Sequence, residues 1–202
     1  GLNTLEHQPA KLAAIEGHWE TNRDHGMPLL LFALPNMETE SNDLEIGIPN
    51  LGSLILTHSL EGQVTGLKDF AAEDRPNALI VFWSFRVMVG LGMLMVLLSL
   101  TALWLRKKGA LYESSWFHKF ALVMGPTGYI ALLAGWVTTE VGRQPWVVYG
   151  VIRTKDGLSH TVTADQVGLS LIIFVLVYTV VFGAGIYYML RLIKLGPAFS
   201  TP

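Results

Sequence analysis

Three groups of residues have types and spacings able to do chemistry. In the first, Trp136 and Glu140 stand four apart and share a helix face, with Arg143 one turn further along it. They end an apolar run, and Pro145 then stops the helix or bends the chain. A carboxylate and a guanidinium at such depth are costly, which points to a bound group or a partner. Glu140 could ligate a metal, relay protons or pair with Arg143 at the helix end. Trp136 could stack on a porphyrin, carry an electron between cofactors, or sit in the interfacial aromatic belt.

The second group is Arg86 and Met88. An intramembrane guanidinium needs an anion, such as a haem propionate or a carboxylate, unless it snorkels to the headgroups. Met88 offers a soft, neutral thioether able to fill one axial position of a haem iron. On spacing alone it is equally a packing residue, since Met93 and Met95 follow on the same run. The third group is Lys11 and Glu16. A cation and a carboxylate can hydrogen-bond the two oxygens of a quinol head group, and a general base helps to remove its protons. A solvated charge pair is the plainer alternative. The six histidines show no metal-binding pattern: His7, His18, His25 and His58 precede the apolar runs, and His118 and His160 lie near run ends.

These groups must be positioned by a chain of 202 residues that is 51% hydrophobic, with mean hydropathy +0.42. Such composition indicates a membrane protein. The formal net charge of −2 gives no case for nucleic acid as partner. With no cysteine, disulfides, thiolate metal sites, iron–sulfur clusters and covalent c-type haem are excluded within this chain. The chain opens on Gly1 in a polar segment with neither Met nor signal peptide, and is expected to be a piece of a longer protein that lacks its N-terminal part.

Residues 1–77 are polar and hold most of the acidic side chains, Asp24 among them. They are expected to form one irregular extramembrane loop or small domain, with a short helix after Pro9 and turns at Pro35-Asn36 and Pro49-Asn50. Asn77 is a plausible helix N-cap. Residues 78–202 are expected to supply three transmembrane helices, over about 79–105, 117–141 and 167–190. Pro126 should kink the second, Thr163 to Asp165 offers start signals for the third, and Gly196-Pro197 ends it. The fold class is therefore an all-α membrane protein, the C-terminal part of a larger helical bundle. Arg106, Lys107, Lys108 and Lys119 lie at one side with Arg191 and Lys194, which assigns that side, and the C-terminus, to the cytoplasm. Residues 1–77 and the loop after span two then lie outside. Arg86, Met88, Trp136, Glu140 and Arg143 all fall toward the outer ends of their spans, below the acidic segment.

Three stretches together, Lys11-Leu12-Ala13-Ala14-Ile15-Glu16, Phe82-Trp83-Ser84-Phe85-Arg86-Val87-Met88-Val89-Gly90 and Gly142-Arg143-Gln144-Pro145-Trp146, resemble the signature stretches of subunit I of cytochrome bd-type ubiquinol oxidases. The resemblance covers essentially the whole chain. It implies the quinol-binding loop plus the last three of nine transmembrane helices. It implies Met88 as axial ligand of the low-spin haem b, with Arg86 supporting that haem. Glu140 becomes the carboxylate at the high-spin haem pair, Trp136 the tryptophan between haems, Arg143 a propionate partner, and Lys11 with Glu16 the quinol-binding pair. It further implies oxidation of ubiquinol at the outer face of the bacterial inner membrane and reduction of oxygen to water. Proton-motive force would arise from charge separation. Subunit II, the missing part of subunit I and a small accessory subunit would be partners, with membrane lipid around them. About a dozen residues separate Lys68-Asp69-Phe70 from Phe82, which is similar to the short-loop, often cyanide-insensitive branch. The third haem position then takes haem d or a further haem b. The family's histidine ligands belong to the missing half. The alternative that the residues leave open is a fragment of a transporter or proton-conducting subunit, with Arg86 and Glu140 on its path.

Overall fold

The computed structural model describes residues 2–23, 25–157 and 161–196; Asp24, His160 and Pro197, named above, lie outside the described residues. The chain divides into two units, Gly1–Gly157 and Leu158–Pro202.

The first unit opens with two short helices, α1 (Leu2–His7) and α2 (Pro9–Glu16). Pro9 sits at the first helical position of α2, where its missing N–H costs nothing. Gly17 ends the helix at φ 64°, a left-handed conformation that glycine adopts without steric cost. Every residue of α2 from Leu12 to Glu16 is buried. A hairpin follows, β1 (Leu29–Asn36) antiparallel to β2 (Ser41–Ile48). The side chain of Asn36 accepts from the backbone N–H groups of Glu38 and Thr39 and closes the turn. The register shifts on either side of Phe32, so the strands are bulged. Helix α3 (Leu51–Thr57) and two short 3₁₀ turns, Leu67–Asp69 and Ala72–Asp74, complete the segment.

This segment is not wholly irregular: it contains a hairpin that its composition does not signal. Its β1 run, Leu29-Leu30-Leu31-Phe32-Ala33-Leu34, does not alternate cleanly, which hides a strand from a periodicity argument. Nor is it separate from the helices. Ala13, Ala14, Ile15, Trp19 and Leu67 share one buried cluster with Ala78 and Val81 of the next helix, and Leu30 and Ala33 share another with Phe82.

That helix is α4 (Ala78–Lys107), 30 residues long. Asn77 caps it, its side chain accepting from the Ile80 N–H. At ~1.5 Å per residue it is about 45 Å long, enough to span a bilayer with tilt. The expected second span is two helices, α5 (Ser115–Met124) and α6 (Thr127–Gly142), broken at Gly125-Pro126. Helices α4 and α6 pack through small residues. Ser84 and Thr138 join their hydroxyls at 2.8 Å, and a Cβ added to Gly135 would stand 2.8 Å from Met88 Sδ. After α6, β3 (Trp146–Val148) and β4 (Ile152–Arg153) form a second small hairpin. Arg153 stands 2.7 Å from Asp74.

The second unit is one long helix, α7 (Ala164–Leu195). The Gln166 side chain accepts from the Thr163 N–H at its start. Phe174, Tyr178 and Phe182 form an aromatic row at i, i+4 and i+8. Three helical stretches, Ala72–Lys107, Ser115–Gly142 and Ala164–Leu195, are long and apolar enough to cross a membrane. The fold class of three membrane-spanning helices stands, with two small hairpins added outside the spans.

Candidate functional site

Glu16 is the last residue of α2, and burial of that helix carries its carboxylate into the protein. Arg86 comes from α4, two turns past the Asn77 cap, and meets it there at 3.3 Å. Both side chains are almost closed to solvent, 13% exposed for Arg86 and 10% for Glu16. The guanidinium does more than pair. Its Nη1 donates to the Ile15 carbonyl, and its Nε and Nη2 donate to the Leu30 carbonyl at 3.0 and 2.5 Å. The bulge in β1 lies beside Leu30, and the guanidinium also rests 3.6 Å over the Phe82 ring. One cation thus holds the end of α2 and the first strand onto α4. Burial pushes the Glu16 carboxyl above the ordinary carboxylate range, against the opposing pull of Arg86.

Beside this pair opens a cavity of about 380 Å³. Glu16, Trp19, Leu30, Asn42, Glu45 and Lys68 are among its lining residues. It lies between the end of α2 and the hairpin. His18 turns its Nε2 to the Val64 carbonyl at 3.2 Å, and burial lowers its pKa. Lys68 pairs with Glu20 at 2.9 Å and holds that carboxyl below its usual range.

Lys11, expected as the partner of Glu16, does not line this cavity. Five residues apart on a helix, the two point about 140° from each other. Lys11 instead runs its stem along Gly142, and its Nζ donates to the Thr139 carbonyl at 3.4 Å near the end of α6. Its pKa is lowered, first by burial and then by the nearby Arg143. Helix α2 therefore bridges α4 through Glu16 and α6 through Lys11.

Glu140 and Arg143 form an ion pair at the end of α6. Trp136, one turn earlier, is 63% exposed on the helix surface. Met88 is half-buried and directs its sulfur to Gly135, beside Trp136. The structure thus makes two groupings. Glu16 and Arg86 meet at the cavity; Met88, Trp136, Glu140 and Arg143 lie along the α4–α6 pair. Among the described residues no cluster of three or more His, Cys, Asp or Glu side chains gathers as a metal site.

Sequence reasoning missed Trp19, Asn42 and the Leu30 carbonyl. Asn42 and Trp19 carried no spacing signal, and a backbone acceptor carries none at all. Only the chain fold brings them to Glu16.

The family described as cytochrome bd terminal oxidase subunit I matches residues 1–197. Cytochrome bd ubiquinol oxidase subunit 1 of Bacillus subtilis (strain 168) is 35% identical over 203 residues, covering 95% of this chain and 43% of that protein. Cytochrome bd-II ubiquinol oxidase subunit 1 of Escherichia coli (strain K12) is 30% identical over 256 residues, covering 95% of this chain and 49% of that protein. Among solved structures, the bd oxidase from Geobacillus thermodenitrificans superposes with a TM-score of 0.71 at 33% identity, covering 96% of this chain and 44% of that one. The chain spans less than half the length of these relatives.

Proposed function

The chain belongs to the cytochrome bd terminal oxidase subunit I family, and from that premise we propose that it forms part of a bacterial terminal oxidase that passes electrons from quinol through haem to oxygen. Overall, two quinols and one oxygen give two quinones and two waters. The observation that carries this reading is the buried Glu16 carboxylate at a cavity beside a spanning helix, held by an arginine two residues before Met88 on that helix. A buried carboxylate with a raised pKa is suited to take a proton from a quinol hydroxyl near neutral pH. Glu20 and Glu45, which also line the cavity, offer the proton a way to solvent. Arg86 keeps Glu16 in place and keeps part of its charge offset. Lys11 acts by docking α2 on α6, so its loss reaches the quinol site indirectly.

The residues fit a haem. Met88 presents a soft, neutral sulfur, and Gly135 leaves the space that a Cβ would fill beside it. Met88 would hold the low-spin iron, with Trp136 beside it; Glu140 and Arg143 would face the high-spin site and its propionates. When bound, haem supplies the one-electron carrier that quinol oxidation needs and the iron at which oxygen is reduced. Haem b at the first two positions and haem d or a further haem b at the third is the reading we adopt. The remaining ligands, subunit II and a small accessory subunit would come from outside this chain. Residues 1–77 would face the outer side of the inner membrane and the C-terminus the cytoplasm.

A transport or proton-conducting role would require ionisable groups along the length of a span. From Val87 to Leu105 α4 has none, and the charges at Arg86, Glu140 and Arg143 keep to one end of their spans. The test is the intact oxidase: its reduced-minus-oxidised absorption spectrum with a soluble quinol, and oxygen uptake under the same conditions. Haem bands reduced by quinol and reoxidised by oxygen are expected; a colourless complex that moves protons without consuming oxygen would overturn the reading.

A further inference from the structure

The side chain of Asn42 has four hydrogen-bonding positions, two donors and two acceptor lone pairs, and three are used on the wall of the Glu16 cavity. Its oxygen accepts from the Trp19 indole N–H at 2.8 Å. Its nitrogen donates to the Gly17 carbonyl at 2.8 Å and to the Glu45 carboxylate at 2.6 Å. Gly17 follows Glu16 directly and carries the left-handed turn that ends α2. Trp19 is buried, two residues further on. Asn42 itself belongs to β2, on the hairpin whose other strand presents the Leu30 carbonyl to Arg86. The hairpin therefore grips the Glu16 turn from two sides, through Leu30 and Arg86 beneath and through Asn42 across the cavity.

We propose that Asn42 is a positioning residue for quinol binding: by fixing the turn from Gly17 to Trp19 against the hairpin, it sets the width of the cavity at Glu16. This rests on reading that cavity as the quinol site. Neither a shorter side chain nor a carboxylate reproduces the arrangement. Alanine frees the Trp19 N–H, the Gly17 carbonyl and the Glu45 carboxylate at once. Aspartate still accepts from Trp19 but loses both donors and brings a second negative charge against Glu45. Asn42 neither accepts the proton nor carries the electron; it touches the proton's way out only at Glu45, whose carboxylate is still present without it, and Glu20 offers a second exit. The expected signature is thus a weaker Michaelis complex with an unimpaired maximal rate.

The experiment uses the intact oxidase in membranes, with a short-chain soluble quinol as substrate. Oxygen uptake gives KM and kcat for the wild type, Asn42→Ala, Asn42→Asp, Trp19→Phe and, as a control, Glu16→Gln. An artificial one-electron amine donor measures oxygen reduction apart from the quinol site. Asn42→Ala should raise KM by at least about fivefold and leave kcat within twofold, with haem spectrum and amine-supported turnover unchanged. Asn42→Asp should raise KM further. Trp19→Phe, which keeps the ring and loses one hydrogen bond, should raise KM two- to threefold. It carries the test if the Asn42 variants fail to assemble. Normal KM in the assembled variants, with Glu16→Gln impaired in quinol turnover alone, would overturn the positioning role and leave the quinol site standing. Normal quinol kinetics in Glu16→Gln as well would overturn the quinol site and the proposal with it. A fall in kcat and amine-supported turnover together, with KM unchanged, would reduce Asn42 to a structural residue.

Discussion

Arg86 and Glu16, seventy positions apart, form a buried ion pair that joins a spanning helix to the segment lying over it. Such a pair is costly to desolvate, and removing one partner is more costly than removing both. The pair therefore specifies where α2 sits more than it adds to stability. That arrangement links the proposed quinol chemistry at Glu16 to the geometry of α4 at Arg86.

In its proposed role as base Glu16 must be ionised, and burial raises its pKa. Quinol turnover should therefore fall on acidification through that raised pKa, at higher pH than an ordinary carboxylate of about 4.3 would give. Glu16→Gln should flatten this limb and lower turnover by about 10²-fold or more, the usual scale for a lost general base. The low-spin haem spectrum should stay unchanged. Wild-type rates with the same acid limb would remove Glu16 from the proton step.

Replacing Arg86 by Met leaves the Glu16 carboxylate buried without its cation, and drops three hydrogen bonds to the Ile15 and Leu30 carbonyls. A loss of about 3–5 kcal/mol is expected if Glu16 remains charged. Instead Glu16 should take up a proton at still higher pH, so the acid limb of turnover moves upward. The double variant Arg86→Met with Glu16→Gln should recover part of the stability, read as resistance of residues 1–77 to limited proteolysis. Equal protease sensitivity of the single and double variants would contradict the coupling.

Met88→Leu keeps size and apolarity, so packing against α6 should change by less than about 1.5 kcal/mol. The low-spin haem band should be lost or turn high-spin, because leucine offers iron no donor. Gly135→Ala tests the same contact from the other side. Its Cβ would stand 2.8 Å from the Met88 sulfur, so the thioether must move while the helices stay paired. A shifted low-spin band is expected, and an unaltered band in both variants would leave Met88 as a packing residue.

Glu140 pairs with Arg143 at the end of α6. An ion pair with no other task would tolerate Glu140→Gln, since the amide still accepts a hydrogen bond. A carboxylate serving iron or protons would not. Glu140→Gln should leave the low-spin haem intact, perturb the carbon-monoxide difference spectrum and stop oxygen uptake. Near-normal turnover with an unchanged difference spectrum would identify Glu140 as the partner of Arg143 alone.

The proposed sidedness rests on the Lys and Arg residues at the span ends. Single cysteines at Ser41, on the hairpin, and at Ser114, between α4 and α5, should react differently with a membrane-impermeant thiol reagent in intact cells. Labelling at Ser41 is expected, and preferential labelling at Ser114 would invert the topology.

The spans were legible because long charge-free runs leave few other structures, and Asn77 and Pro126 punctuate them. Observed helix ends differ from the expected ones by a few residues, where Ser115, Lys107 and Leu195 extend the runs. The hairpin was not legible. Bulges at Phe32 break the alternation of β1, and β2 is largely exposed. The site was half legible. Unusual residue types marked Arg86 and Glu140, but type alone could not tell which anion Arg86 would meet. It meets Glu16 because α2 is short and ends at Gly17, which no charge pattern records. Lys11 and Glu16 stood close in sequence, yet their angular separation on α2 sends them to different helices.

The acceptors that Arg86 uses at Ile15 and Leu30 are main-chain carbonyls, which every residue type presents. Side chains at 15 and 30 can therefore drift through substitution without unmooring the segment, within the limits of their own burial. A single insertion or deletion within β1 is another matter. It would slip the register by one position and turn the Leu30 carbonyl to the opposite side. Divergence among descendants of this gene should accordingly be free in residue identity here and strict in residue count within β1, with length changes displaced to the turn at Met37 to Glu40.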